Sequence, residues 1–190
     1  MENSNKKTIK KKVALLGDAS VGKTSLARRF VLNQFDEKYI TSIGANVSKK
    51  VCELESCKVE LIIYDLFGQH IKYQQIPLNL IKGAEGFLLV GDVTRKESFD
   101  NLKGYWSNLI KTYYPEYQNI YKTNSKLPAI LLANKIDLPN VEVKTRDLEE
   151  LCSEIQKYKE LDLLKWYYTS AKTGVNVNDA FESLAKKLVI

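Results

Sequence analysis

Residues 17–24 read GDASVGKT, and this octapeptide decides how the chain is interpreted. It follows the apolar run Val13–Leu16 and opens a stretch with apolar residues at helical spacing, so the context is strand, loop and helix. Its two glycines let successive backbone N–H groups turn towards an anion, and the helix start adds positive potential. Lys23 and Thr24 carry the groups that bind phosphate and Mg²⁺ in such loops. A glycine-rich turn without a ligand is the alternative, and the strand–loop–helix context argues against it.

Further apolar runs alternate with helical patterns along the chain. This alternation predicts an α/β fold, with a mostly parallel sheet and helices on both faces. Ligands of such sheets lie beyond the carboxyl ends of the strands. The further strands are expected at 47–54 and 58–65 (a hairpin), 86–93, 129–133 and 165–169, and the later helices at 98–113, 148–155 and 177–188, the last capped by Asn176 or Asn178. We expect the polar, tyrosine-rich stretch 114–126 to be an inserted loop.

A second motif, DLFGQ at 65–69, follows the apolar run 61–64. A lone carboxylate at a strand end often only caps a helix. After a phosphate loop, however, Asp65 is placed to hold Mg²⁺ through water, Gly68 to meet the γ-phosphate and Gln69 to orient an attacking water.

Two motifs near the ends of later strands point to guanine. Guanine offers two donors on one edge, N1–H and the 2-amino group, and one carboxylate can accept both, so Asp137 of the Asn134-Lys135-x-Asp137 motif would set specificity. Asn134 would tie loops together, and the stem of Lys135 would lie along the base. The stretch 170–172 (SAK) would close the other side, with the Ala171 N–H facing the guanine carbonyl.

The length and composition of the chain limit the class of protein to which it belongs. The chain has 190 residues, 44% hydrophobic and 27% charged, as expected for one soluble globular domain. We interpret residues 1–10 as a flexible basic arm and 11–190 as the domain. We interpret the lysines at 6–12 as a solvated lead-in to the first strand rather than a site for anionic lipid or nucleic acid. No aromatic residues are interleaved with them, and the rest of the chain is close to charge balance. The three cysteines are expected to be free thiols rather than a hairpin disulfide: Cys52, Cys57 and Cys152.

With these motifs in this order, residues 11–188 resemble the Ras-like small GTPases, and among them the Rab branch. The resemblance implies the P-loop NTPase (Ras-like) fold, with a six-stranded sheet that has one antiparallel edge strand. It implies a switch that binds GTP, GDP and Mg²⁺, as in signalling and vesicle trafficking, and hydrolyses GTP slowly. Phe35 would pack against guanine, Tyr39 would cover the phosphates and Ser42 would bind Mg²⁺ in the GTP state.

The motifs and the resemblance together define the candidate site. The candidate nucleotide contacts are Ala19, Ser20, Val21, Gly22, Lys23, Thr24, Ser25, Phe35, Tyr39, Ser42, Gly68, Asn134, Lys135, Asp137, Leu138, Ser170, Ala171 and Lys172; the candidate catalytic residues are Gln69, Lys23 and Gly68; the candidate metal ligands are Thr24, Ser42 and Asp65.

Three positions depart from the family pattern. Ser42 replaces a threonine, Phe67 replaces a small residue, and His70 replaces a common glutamate and is expected to be exposed rather than catalytic. These departures keep a second hypothesis open, a nucleotide-binding interaction module with little hydrolysis. A metabolic ATP-dependent kinase is a third, which the guanine motif argues against.

The resemblance also implies partners. Residues 33–45 and 65–80 would be the two switch segments that contact effectors, an exchange factor and a GTPase-activating protein. No arginine lies in 33–45, so any arginine finger would come from a partner. We expect a monomer in the cytoplasm. The sequence as given has no cysteine near Ile190 for a lipid anchor, so we expect at most weak, peripheral contact with a membrane.

Overall fold

A computed structural model describes residues 6–35, 45–66 and 78–190. Within these ranges the strands form a six-stranded sheet in the order β2-β3-β1-β4-β5-β6, in which β2 runs antiparallel to β3 and the other pairs are parallel. The predicted fold class is therefore confirmed. The strands are β1 (Thr8–Leu16), β2 (Ala45–Glu53), β3 (Lys58–Leu66), β4 (Gly86–Asp92), β5 (Leu127–Asn134) and β6 (Leu161–Thr169).

Helices cover both faces of this sheet. The described helices are α1 (Lys23–Leu32), α2 (Glu97–Asn101), a π-helical turn (Leu102–Trp106), α3 (Ser107–Tyr121), α4 (Thr145–Ile155) and α5 (Val177–Lys187), with a short 3₁₀ turn at Leu78–Leu80.

The core consists of two layers, one on each side of the sheet. In β1, Val13 and Leu15 face α1 and α5, whereas Ala14 and Leu16 face α3 and α4. Every residue of β4 and β5 is buried, as expected for central parallel strands that are covered twice. Because β1, β3, β4, β5 and β6 are parallel, their carboxyl ends lie at one edge of the sheet, where the predicted motifs begin.

Part of the segment predicted as a basic arm belongs to the sheet. Thr8, Ile9 and Lys10, which we assigned to the arm, belong to β1 and pair with β3. Lys6 donates a hydrogen bond to the carbonyl of Leu54, 2.8 Å away. Three consecutive lysines, at 10–12, therefore lie in a paired strand, because the long stem of a lysine can lie over the sheet while its ammonium reaches solvent or an acceptor.

The predicted loop over 114–126 is wrong for most of its length, because α3 continues to Tyr121. Tyr113 and Tyr117 are buried on the core side, and the Tyr121 hydroxyl donates to the carbonyl of Gly83 at 2.8 Å. These tyrosines recur every four residues, so they form a helix face that the sequence analysis counted as polar. Pro115 is exposed, so water can satisfy the carbonyl that it leaves without a helical partner.

Two smaller predictions have mixed outcomes. Asn176 does occupy the position before α5, but its side chain donates to the carbonyl of Tyr168 at 2.7 Å and does not cap the helix. The three cysteines are free, as expected, and Cys52 and Cys57 are buried. Burial raises the pKa of the Cys52 thiol to about 11, so this thiol stays protonated at neutral pH.

The packing of β4 against α2 leads to a stability prediction. A Cβ added at Gly91 would lie 2.5 Å from the buried ring of Phe99, whereas one at the exposed Gly104 would meet nothing within 4 Å. We expect Gly91→Ala to lower the free energy of unfolding by about 1–3 kcal/mol. Gly104→Ala should raise it by roughly 0.5–1 kcal/mol, because alanine loses less entropy in a helix. Urea unfolding at saturating GDP measures both; equal effects of the two variants would contradict this packing.

Candidate functional site

The phosphate loop has a backbone that only glycine can adopt at its two ends. Gly17 has φ +148° and Gly22 has φ +101°. A Cβ at Gly17 would lie 2.2 Å from the carbonyl oxygen of Val90, and one at Gly22 would lie 2.3 Å from Nδ2 of Asn134. The motif glycines are therefore required both by the left-handed backbone and by the close approach of β4 and β5.

Lys23 lies inside this loop. It is only 5% exposed, and its ammonium donates to the carbonyls of Gly17 and Asp18, each 2.6 Å away. Burial lowers the pKa of Lys23 to about 8, although Asp65 and Asp18 favour the charged form. An ammonium has three donors, and among the described residues none accepts the third, which is left for an anion.

The start of α1 adds to this positive potential. The helix begins at Lys23 with no side-chain cap and no acidic residue in its first turn. Its first N–H groups therefore remain available to a negatively charged ligand. The loop and the helix start together form an anion site.

Thr24 and Asp65 meet beside the anion site. The Thr24 hydroxyl donates to Oδ2 of Asp65 at 2.6 Å. Oδ1 of Asp65 is buried and has no hydrogen-bond partner among the described residues. Burial raises the pKa of Asp65, opposed by the bond from Thr24 and the charge of Lys23. A buried carboxylate oxygen without a partner beside a hydroxyl suits a hard cation such as Mg²⁺, which prefers oxygen ligands.

Asn134, at the end of β5, connects three loops. Its Nδ2 donates to the carbonyl of Val21 in the phosphate loop at 2.9 Å. Its Oδ1 accepts from the Thr169 hydroxyl and from the Ala171 N–H, each at 3.2 Å. These three hydrogen bonds join the phosphate loop to the end of β6, which is the arrangement predicted for Asn134. The Ala171 N–H, expected to face guanine, is bonded to Asn134 in this structure.

The other residues of the base motifs are also held in place. Oδ1 of Asp137 accepts from the buried Ser170 hydroxyl at 2.6 Å, and the side chain of Asp137 is otherwise exposed. Lys135, which has φ +72°, pairs with Oδ2 of Asp92 at 2.6 Å. Burial would raise the pKa of Asp92, but its bonds to Lys135 and Thr94 outweigh this effect and hold the pKa below its usual range.

A cavity of about 370 Å³ joins the phosphate loop to the base motifs. Its exposed apolar lining residues, Phe35 and Leu138, are suited to the faces of a flat ring. The full lining is Ser20, Gly22, Ser25, Phe35, Asn134, Lys135, Asp137, Leu138, Ala171 and Lys172. Ten predicted nucleotide contacts are thus brought to one cavity. The predicted residues Tyr39, Ser42, Gly68 and Gln69, together with Phe67 and His70, lie outside the described residues.

Two residues that support the site were not predicted from the sequence. Arg29 donates through Nε to the carbonyl of Ala171 at 2.8 Å and through Nη2 to that of Lys172 at 2.6 Å, so it holds the base loop from behind. In the sequence, Arg29 is one of the polar residues of a predicted helix, and nothing in the pattern marks it as part of the site. Asp92 ends β4 and could have been found, since carboxylates at the ends of parallel strands converge on one edge.

The chain is also similar in sequence to known proteins. The family described as "Ras family" matches residues 12–190. The chain is similar to "Ras-related protein Rab7" of Drosophila melanogaster, 34% identical over 175 residues that cover 92% of this chain and 78% of that protein. It is 35% identical to "GTP-binding protein ypt2" of Schizosaccharomyces pombe over 178 residues, 93% of this chain and 80% of that protein. "Ras-related protein Rab-13" of Rattus norvegicus is 32% identical over 180 residues, 94% and 80% of the two chains.

The free edge of the Asp137 carboxylate leads to a specificity prediction. Asp137→Asn replaces an acceptor by a donor, so it should weaken GDP binding on the order of 10- to 100-fold and raise affinity for xanthosine diphosphate, whose base presents a carbonyl there. Competition against a fluorescent nucleotide measures both affinities. Asp162→Asn is the matched control, because Asp162 is a half-exposed carboxylate at the other end of β6. Unchanged GDP affinity in Asp137→Asn would contradict the assignment.

Proposed function

Because this chain belongs to the Ras family of GTP-binding and GTP-hydrolysing switches, we propose that its 370 Å³ cavity holds the guanosine part of the nucleotide and that the loop 17–24 holds the phosphates. The observation that carries this assignment is the continuity of that cavity, whose lining joins Gly22 to Asp137 and Lys172. The candidate nucleotide contacts above are the proposed binding residues.

The base end of the site would read guanine through Asp137. One of its oxygens is fixed by Ser170, so the carboxylate is oriented before the base arrives. Preorganisation of this kind reduces the entropy cost of binding. Phe35 and the stem of Lys135 would cover the two faces of the base, which adds apolar contact without selecting for guanine.

The phosphate end would be neutralised by Lys23, the start of α1 and Mg²⁺. Thr24 and Asp65 would hold the metal ion, joined by Ser42 in the GTP state, and the unpartnered Oδ1 of Asp65 supports this assignment. The bound ion would neutralise charge on the β- and γ-phosphate oxygens. Lys23 stabilises the same oxygens, since its buried ammonium faces a low dielectric in which each charge interaction is stronger.

Hydrolysis would depend on residues that lie outside the described ranges. Gln69 would orient the attacking water, and the N–H of Gly68 would hold the γ-phosphate. Because no arginine lies in 33–45, we expect slow hydrolysis that a GTPase-activating protein accelerates. Membership of a family of GTPases favours this function over an interaction module with little hydrolysis.

Effectors and regulators are general partners of this family. For this chain we place their contacts on the predicted switch segments 33–45 and 65–80. We propose a monomer in the cytoplasm that meets membranes only peripherally and does not bind nucleic acid. Within the described ranges, every helix is too short or too polar to cross a bilayer.

The two functional hypotheses differ in one measurement. In a single-turnover assay with excess protein and labelled GTP, the wild type should convert GTP to GDP and phosphate. Gln69→Leu should lose this hydrolysis and keep nucleotide affinity, because leucine cannot orient water. Gln118→Leu, on α3 and bonded to Asn124, is the matched control and should hydrolyse normally. Intact GTP in the wild type would favour the interaction module instead.

A further inference from the structure

Asp18 lies in the phosphate loop, but its carboxylate is used by a different part of the fold. Its Oδ1 accepts from the indole Nε1 of Trp106 at 2.9 Å, and its Oδ2 accepts from Nδ2 of Asn101 at 2.7 Å. Trp106 is fully buried. Both carboxylate oxygens are therefore bonded to the continuous helical run 97–121, and both bonds are charge-assisted, which makes them stronger than neutral ones.

The π-helical turn explains how both donors reach one carboxylate. Asn101 and Trp106 are five residues apart, which in an α-helix would put them about 140° apart around the axis. In a π-turn, hydrogen bonds join residues five apart, so these residues come to the same face. The backbone N–H of Ser107 bonds to the carbonyl of Leu102, five residues earlier, and the Ser107 hydroxyl bonds to the same carbonyl at 2.8 Å. The π-turn therefore lies between the two residues that donate to Asp18 and brings them to the same side of the helix.

The next residue of the loop is held from the same side. Nη2 of Arg95, just before α2, donates to the carbonyl of Ala19 at 2.8 Å. Two successive residues of the phosphate loop are thus bonded to the β4–α3 segment. On its other side the same loop is bonded to Asn134 through Val21.

We propose that Asn101 and Trp106 are positioning residues for nucleotide binding, which hold Asp18 so that the loop 17–24 keeps the shape that accepts phosphates. We call these two hydrogen bonds the Asp18 clamp. Because the two donors lie at either end of the π-turn, a change in this turn alters the clamp directly. The clamp therefore couples the π-turn to the strength of phosphate binding. This inference rests on the proposed nucleotide site.

A second explanation is that Asp18 only satisfies the buried indole of Trp106. In that case breaking the clamp would lower the stability of the fold and leave nucleotide release unchanged. Exchange of donor and acceptor separates the two explanations, because it keeps the size and shape of both side chains.

The test uses Asp18→Asn, Asn101→Asp and the double variant of the full chain. In the first variant the carboxylate becomes a neutral amide, so the bonds to Trp106 and Asn101 lose their charge assistance and the Asn101 amide must turn over to accept. In the second variant two carboxylates face each other. In the double variant the new amide at position 18 donates to the new carboxylate at position 101 and still accepts from Trp106. The measurement is the dissociation rate of fluorescent GDP at fixed Mg²⁺, beside urea unfolding of the nucleotide-free protein.

We expect each single variant to release GDP about tenfold faster, the equivalent of about 1.4 kcal/mol for a lost charge-assisted bond, and the double variant to return to within about threefold of the wild type. Trp106→Phe should also speed release, whereas Trp166→Phe, which alters a half-buried tryptophan on β6 paired with Tyr168, should not. In the single variants, the GDP dissociation rate should rise by more than a change in the free energy of unfolding of the nucleotide-free protein can explain.

Two outcomes would overturn this proposal and leave the proposed function intact. In the first, the wild type retains GDP and the single variants release it no faster than the wild type does. In the second, the double variant does not restore the wild-type rate. Loss of unfolding free energy in the single variants without faster release would leave Asp18 a purely structural partner of Trp106 and would also overturn it. A wild type that retains no guanine nucleotide would instead overturn the proposed function, and this inference with it.

Discussion

The side chain of Asn134 is the interaction on which the site depends most. It is 1% exposed and bonds to Val21 in the phosphate loop and to Thr169 and Ala171 at the end of β6, which is far from that loop in the sequence. A buried amide with these partners is strongly bound to them, because an unpaired group in a low dielectric is costly. The phosphate loop and the base loop can therefore form one cavity only while the carboxyl ends of β1, β5 and β6 keep their positions relative to one another.

Around this amide, each loop of the site is supported from behind by a charged side chain. Arg29 holds the carbonyls of Ala171 and Lys172, Asp92 holds Lys135, and Arg95 holds Ala19. These groups lie outside the motifs that we propose to contact the nucleotide. Loops carry function only when a rigid scaffold positions them, and here the scaffold acts through ion pairs and hydrogen bonds as well as through the sheet.

Prediction from the sequence succeeded where a local pattern has one physical explanation. Continuous apolar runs such as Ala129–Ala133 indicate strands buried on both faces, and the structure has them there. It failed where a residue type has two uses. Tyrosine was counted as polar over 114–126, although a row of tyrosines every four residues can bury rings and bond with hydroxyls. Residues 8–10 were assigned to a basic arm, although the stem of a lysine such as Lys10 can also lie over a paired strand.

The sequence by itself determined the fold class and the chemistry of the motifs, because Gly17, Gly22, Lys23, Asp65 and Asp137 each supply a group or a backbone that few residues can replace. Only the tertiary structure decided which residues support those groups. Asp18 reaches Asn101 and Trp106 across more than eighty residues, through a π-turn that no local pattern revealed. Such contacts depend on how the helices pack against the sheet. The periodicity of residues along the chain does not show which distant residues this packing brings together.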